Sequence, residues 1–304
     1  MDYLQAIILG IVQGLTEFIP ISSTAHLVFA SRWTGIFGGD PQQITATMAV
    51  IQLGTIAAVF IYFASDIWKI SVAFVRDHIG LVSGKRGSFG SNSGFRPDWM
   101  SHDSWLGWLI VLGSIPIGTI GILFKETIEG PDTKNLWIIA IMLIVIGILL
   151  GIAELVSKWF ERSGRGTRGI EHFGLIDAIV VGFSQVLALM PGASRSGSTI
   201  MGGLFAGEKR EAAARFSFLL SIPAIAAAGL LQLREAVTII PAGSMLPLLV
   251  ATIVSGIVGY FAIWFLLAFL RKYSTLVFIV YRVALGIIIL VLLFRGVIDP
   301  VVNI

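Results

Sequence analysis

The chain has 304 residues, of which 56 % are hydrophobic and only 13 % charged, about half the charged fraction of an ordinary soluble domain, roughly 25 %. A soluble globular domain is thereby excluded. The net charge of +3 says less than where the charges fall, and the lack of cysteine excludes disulfides and thiolate metal sites while leaving the redox compartment undecided.

The first 38 residues form an apolar segment broken at its centre. Asp2 precedes it and no Lys or Arg occurs before Arg32, so it lacks the basic start of a signal peptide and reads as part of the mature protein. Gln13 and Glu17 lie four apart, on one face of a helix. Pro20 ends that helix, because it disfavours helical geometry in the residue before it and has no N–H. Ser22, Ser23 and Thr24 then stand where a new helix is capped, and His26 follows in its first turn. A carboxylate, an amide, three hydroxyls and an imidazole are thus predicted to cluster.

Three apolar spans follow, at about 44–65, 105–124 and 135–155, each close to the roughly 17–25 residues that cross a bilayer as a helix. The 66–104 connection carries Lys69, Arg76, Lys85, Arg86 and Arg96, and its Gly/Ser-rich 84–94 stretch reads as a flexible surface loop. The 156–173 loop carries Lys158, Arg162, Arg165 and Arg168. His78, His102 and His172 fall in loops among charged residues and read as solvated, with no metal-site spacing. Trp105, Trp108, Trp137 and Trp159 flank spans as an interfacial belt does.

At 174–207 the first segment is repeated. Ala178, Gly182, Gln185, Leu187 and Pro191 fall, within one residue's slip, on the pattern of Ala6, Gly10, Gln13, Leu15 and Pro20. Pro191-Gly192 is followed by Ser194-Arg195-Ser196 and Ser198-Thr199, a hydroxyl-rich turn opening a helix. Such a turn aims N–H groups and the positive dipole end at an anion, and Arg195 adds a planar fork suited to phosphate oxygens. Ionisable groups at bilayer depth are functional candidates because placing each there is costly. Gln52 and Gln185 read as interhelical hydrogen-bonding amides.

Three more spans close the chain, at about 212–233, 245–270 and 274–295, the last interrupted by Arg282, which reads as a structural partner for a carbonyl or a carboxylate. The expected architecture is therefore an all-α polytopic membrane protein: six transmembrane helices plus two re-entrant helix–turn–helix hairpins at 3–38 and 174–207. One hairpin and three spans make each half, 1–155 and 174–304. Three crossings is an odd number, so the halves form an inverted repeat whose turns meet near the midplane. Basic residues in 66–104, 156–173 and Arg271-Lys272 place those loops in the cytoplasm. The opposite loops are mixed (Lys125, Glu126, Glu129, Asp132, Lys134) or nearly neutral (Arg234, Glu235), and both termini are then external.

Gln13-Gly14-Leu15-Thr16-Glu17, Pro20-Ile21-Ser22-Ser23-Thr24-Ala25-His26, Pro191-Gly192-Ala193-Ser194-Arg195-Ser196-Gly197-Ser198-Thr199 and Tyr281-Arg282 resemble the blocks of the undecaprenyl-diphosphate phosphatase family, the integral-membrane family linked to bacitracin resistance. The resemblance covers nearly the whole chain. It implies a plasma-membrane enzyme that hydrolyses a polyprenyl diphosphate lipid to the monophosphate carrier used for cell-wall glycan assembly. It implies Glu17, Ser23, His26 and Arg195 as catalytic positions, Gln13, Ser22, Thr24, Gly192, Ser194, Ser196 and Thr199 as the polar groups around the substrate, and a divalent cation, Mg or Ca, with Glu17 as its ligand. Many members carry a glutamate where this chain has Gln13. The attacking group is Ser23, with His26 and a water as alternatives, and homo-oligomerisation is left open. A transporter of the lipid monophosphate is the rival reading, since broken helices in inverted repeats also build carriers. A Ser-Arg-x5-His lipid phosphatase is excluded: no His lies six positions after Arg32 or Arg195.

Overall fold

The computed structural model describes residues 1–84, 87, 95–129 and 135–301, without the side chains of 224, 225, 227, 228 and 230–238. Lys85, Arg86, Asp132, Lys134 and most of the 84–94 stretch therefore lie outside the described residues, as do the side chains of Arg234 and Glu235.

Both broken segments are helix–turn–helix pairs. Helix α1 (Tyr3–Phe18) stops two residues before Pro20, and α2 (Ser23–Thr34) starts at the serines. In the second copy α8 (Leu175–Val186) ends in a short 3-10 turn before Pro191, and α9 (Arg195–Phe205) starts at the arginine. The longer helices are α3 (Pro41–Tyr62), α5 (His102–Leu123), α7 (Leu136–Arg162), α10 (Arg210–Ile239), α11 (Met245–Leu270) and α12 (Leu276–Phe294), with a five-residue α6 (Lys125–Glu129) between α5 and α7. Among the described residues five helical stretches are long and apolar enough to cross a membrane: Pro41–Tyr62, His102–Leu123, Leu136–Arg162, Ala242–Leu270 and Leu276–Phe294.

Three expectations need correction here. The 66–104 connection is no simple loop, because α4 (Ala64–Val82) occupies its first half; four charges, Asp66, Lys69, Arg76 and Asp77, lower its hydropathy without breaking its helical period. Arg234 and Glu235 do not form a loop, because α10 runs on to Ile239. Among the belt residues, Trp105 is buried, packed with Leu106 and Leu109 in the main core.

The hairpins are held by neighbours distant in sequence. Helix α1 lies along α11 and α8 along α5. The approach is close enough that a Cβ on Gly182 of α8 would sit 2.5 Å from the Gly113 carbonyl of α5, so only glycine lets these backbones touch. One end of the bundle is tied by ion pairs. Arg210 Nη2 meets Glu154 Oε1 at 2.5 Å, Arg215 meets Asp66 at 2.9 Å, and Arg271 meets Glu211 at 2.6 Å. The starts of α10 and α4 and the ends of α7 and α11 therefore share that end. At the other end the N-terminal amine donates to Ser244 Oγ at 3.0 Å, and Arg32 donates to the Asp299 carbonyl at 3.2 Å.

Candidate active site

The two turns meet. Arg195, the first residue of α9, donates from Nη2 to Glu17 Oε1 at 2.9 Å, joining positions 178 residues apart. Glu17 Oε2 accepts from Ser23 Oγ at 2.9 Å and from Gln13 Nε2 at 3.1 Å, so one carboxylate gathers a guanidinium, a hydroxyl and an amide. Gln13 also reaches Thr55 Oγ1 at 3.5 Å. The ion pair is mostly buried, with 11 % of the Arg195 side chain and 8 % of Glu17 exposed, so water screens it little.

Each turn is drawn tight at its serine. Ser22 (φ 75°, ψ 101°) and Ser194 (φ 69°, ψ 115°) hold positive φ directly before α2 and α9. Non-glycine residues there cost on the order of 1–3 kcal/mol and persist only where surroundings enforce them. The enforcement is visible. His26 Nδ1 lies 2.7 Å from the Ser22 carbonyl. A carbonyl can only accept, so Nδ1 carries the proton, and Nε2 accepts the Tyr281 hydroxyl at 2.7 Å. The next residue, Arg282, is fully buried and donates to the carbonyls of Leu143 (3.0 Å), Pro20 (3.3 Å), Gly192 (3.2 Å) and Ala193 (2.8 Å). One guanidinium thus fastens both turns, the structural partner to carbonyls its lone position suggests. Gly192 has φ +91°, and a Cβ there would come within 2.5 Å of the Ile139 carbonyl, so the turn requires glycine twice over.

A cavity of about 780 Å³ opens on this junction. Its polar floor comprises Gln13, Glu17, Ser22, Ser23, Thr24, Gly192, Ser194 and Arg195, and the rest of its lining is largely apolar, including Leu27, Met48 and Ile117, Gly118, Gly121 and Ile122 of α5, interrupted by Thr45, Gln52 and Ser114. Two buried donors here have no hydrogen-bond partner among the described residues, Arg195 Nη1 and Ser22 Oγ. Unpaired buried donors are costly, and a ligand anion would satisfy them.

Not every expected site residue faces that cavity. His26 does not line it; its ring is stacked on Tyr281 with centroids 5.7 Å apart. Ser196 and Thr199 are fully buried, Ser196 against Ser194 Oγ at 3.2 Å and Thr199 bonded to Ser217 Oγ and the Arg195 carbonyl. Gln185, the counterpart of Gln13, is fully buried with no partner for either amide atom among the described residues, so the expected interhelical bond is not made. His78 is not simply solvated either, since it accepts Trp108 Nε1 at 3.1 Å and packs on Phe74. Reading the sequence missed Thr55, Ser114 and the α5 glycines; the Gly118-x-x-Gly121 spacing in an apolar span was the available signal.

The donor set suits a hard cation. Glu17, the Gln13 amide oxygen and the Ser23 hydroxyl are oxygen ligands of the kind Mg²⁺ or Ca²⁺ accepts, with phosphate oxygens completing the shell. Among the described residues no group of three or more His, Cys, Asp or Glu converges, so at this site a single carboxylate would supply the anionic share to a bound cation.

Residues 6–288 match the family described as Bacitracin resistance protein BacA. An undecaprenyl-diphosphatase of Syntrophobacter fumaroxidans is 50 % identical over 296 residues, covering 97 % of this chain and 99 % of that one. One from Chloroherpeton thalassium is 46 % identical over 298 residues, 97 % and 98 % of the two chains. Undecaprenyl-diphosphatase 2 of Streptomyces coelicolor is 42 % identical over 305 residues, 99 % and 98 %. With the match covering nearly the whole chain and both proline turns inside it, the chain belongs to the BacA bacitracin resistance protein family.

Proposed function

We propose that this multi-pass membrane protein is an undecaprenyl-diphosphate phosphatase, hydrolysing the diphosphate lipid to undecaprenyl phosphate and inorganic phosphate. The single observation carrying the residue assignment is the junction of Ser23, Glu17 and Arg195 at the floor of a cavity with largely apolar walls. The diphosphate sits on the floor and the prenyl tail runs out past Gly118 and Gly121 toward lipid.

Ser23 Oγ attacks the terminal phosphorus, the bond to the bridging oxygen breaks, and undecaprenyl phosphate leaves. Water then hydrolyses the phosphoserine, releasing phosphate and restoring the hydroxyl. Glu17, already accepting the Ser23 proton at 2.9 Å, is the base. Arg195 is shared between base and substrate, with Nη2 on Glu17 and Nη1, which has no partner among the described residues, left for the phosphate. Arg195 Nη1, Ser22 Oγ and the first N–H groups of α9 hold developing charge on the phosphoryl oxygens, the main catalytic task in such transfers. A divalent cation held by Glu17 and Gln13 would neutralise further diphosphate charge. His26 and Tyr281 act as positioning residues, fixing the Ser22 turn that presents Ser23.

The inverted-repeat organisation is part of this proposal. The matching strained serines, the helix-opening positions of Ser23 and Arg195, and the packing of α1 on α11 and α8 on α5 support it. So is the sidedness, with the ion-paired end cytoplasmic and the termini external. Nothing in the fold favours the transporter reading over hydrolysis. The test is phosphate release from purified, detergent-solubilised protein, where transport has no second compartment. Chelator-sensitive release from a prenyl diphosphate supports the proposal, and no release at any cation concentration refutes it.

A further inference from the structure

Beyond its floor the cavity carries three polar side chains, Thr45, Gln52 and Ser114, and two of them are already committed. Thr45 Oγ1 donates its proton to the Pro41 carbonyl at 2.8 Å, and Ser114 Oγ donates to the Ile110 carbonyl at 2.7 Å. Each hydroxyl is left with lone pairs alone, which an anion repels. Gln52 differs. Its backbone carbonyl accepts the Thr55 hydroxyl at 2.7 Å, but its side-chain amide, read from the sequence as an interhelical bridge, makes no hydrogen bond among the described residues. Both of its N–H donors therefore remain for a ligand. Thr45, Met48, Ala49 and Gln52 line the cavity at intervals i, i+3, i+4 and i+7, one face of α3. Gln52 is the innermost of the four, because Thr55, three residues on, already meets the floor at the Gln13 amide. Three residues of helix advance about 4.5 Å.

We propose that Gln52 holds the prenyl-side phosphate of the substrate and makes the site selective for a diphosphate; the proposal rests on the phosphatase reading above. With the terminal phosphate on Ser23 and Arg195, the second phosphate lies one bridging oxygen farther out, close to the level at which Gln52 stands. The chemistry fits the place. In a largely apolar wall a neutral amide costs less to keep unpaired before substrate arrives than an ammonium or guanidinium would. It still donates a charge-assisted hydrogen bond once a phosphate is there. As the terminal phosphorus parts from the bridging oxygen, that oxygen leaves with the prenyl phosphate and charge grows on it, so the same contact steadies the leaving group. Prenyl phosphate then keeps Gln52 but has lost its link to the charged floor, and it departs more readily than substrate. A monophosphate lipid seated on the floor offers Gln52 no second phosphate, and the selectivity arises there.

Equilibrium binding of a non-hydrolysable farnesyl methylenediphosphonate to the full chain in detergent, measured without cation, tests this without turnover. Gln52→Leu, similar in size but lacking a donor, is expected to weaken binding about tenfold or more, the worth of one hydrogen bond to a charged group. Gln52→Lys restores a donor and should bind within about threefold of wild type or tighter, whereas Gln52→Glu sets like charges together and should lose about a hundredfold. Displacement by inorganic phosphate, which needs the floor alone, should stay within about twofold in every variant, and it shows at the same time that the site has folded. A side chain that merely packs would not produce the order lysine, glutamine, leucine, glutamate. Equal affinity in Gln52→Leu and wild type, equal losses in all three variants, or inorganic phosphate affinity falling in step with the diphosphonate would each overturn the inference. Failure of the wild-type chain to release phosphate from a prenyl diphosphate would refute the hydrolytic reading instead, and the order of affinities would still decide the role of Gln52.

Discussion

Replacing Glu17 by Gln changes one atom and three interactions. The carboxylate takes Arg195 on Oε1, and Ser23 and Gln13 on Oε2. An amide offers one acceptor and one donor, so it must either face Arg195 with an NH2 or refuse the Ser23 proton. Losing a positioned base typically costs about 10²–10⁴ in rate, about 2.7–5.4 kcal/mol of barrier at 1.36 kcal/mol per tenfold. The lost charge-assisted bond to Arg195, about 1.5–3 kcal/mol, acts in the opposite sense on binding, because the guanidinium is no longer shared and is free for phosphate. The account therefore expects Glu17→Gln to lower single-turnover hydrolysis of a prenyl diphosphate by about 10²–10⁴, while its affinity measured without cation stays the same or tightens and the gain in affinity on adding cation shrinks. Stopped hydrolysis at saturating lipid, beside binding measured in the same detergent at several cation concentrations, separates these quantities. Turnover within tenfold of wild type at saturating cation would sink the reasoning.

Other substitutions probe the supports. Arg282→Lys keeps the charge but cannot span four carbonyls; leaving about two of them unpaired at about 1–3 kcal/mol each should lower thermal stability and activity together, and an unchanged unfolding temperature would contradict the fastening role. At Gly118 a Cβ meets nothing within 4 Å, so Gly118→Phe should fold normally, block the tail path and raise KM for long-chain far more than for short-chain diphosphates; equal effects would move the tail elsewhere. Glu208, in the turn between α9 and α10, is fully buried, and burial followed by the neighbouring Asp177 charge pushes its carboxyl well above the usual range, against the opposing pull of Arg168. A raised folded-state pKa means stability that is full below the ordinary glutamate range and lost as pH climbs through the raised value. Glu208→Gln should flatten that alkaline decline in melting temperature, and an unaltered profile would show the group is not the cause.

What could be read from the sequence was local or repeated. Pro20 and Pro191, each followed by hydroxyls, announce broken helices because proline's effect on its own backbone needs no tertiary context. The repeated broken segments predict that the two turns meet, and Glu17 and Arg195 do so at 2.9 Å. The illegible parts depend on distant partners. His26 looks like a base beside Ser23, yet Tyr281, 255 residues away, claims its second nitrogen. Arg282 stands alone in its span, and four carbonyls from three other segments reveal what it fastens. Helix α4 was hidden because two apolar faces and a charged flank average to a composition neither apolar enough for a span nor polar enough for an ordinary surface helix.

The central claim is that Ser23 attacks phosphorus with Glu17 as its base. The most direct measurement is single-turnover phosphate release by Ser23→Ala at a lipid concentration shown by equilibrium binding to saturate the site. The account predicts loss beyond the roughly 10²–10³ that removing one oriented donor costs, with affinity held by Arg195 and the α9 turn. Release near the wild-type rate would contradict it and pass the attack to His26 or to water.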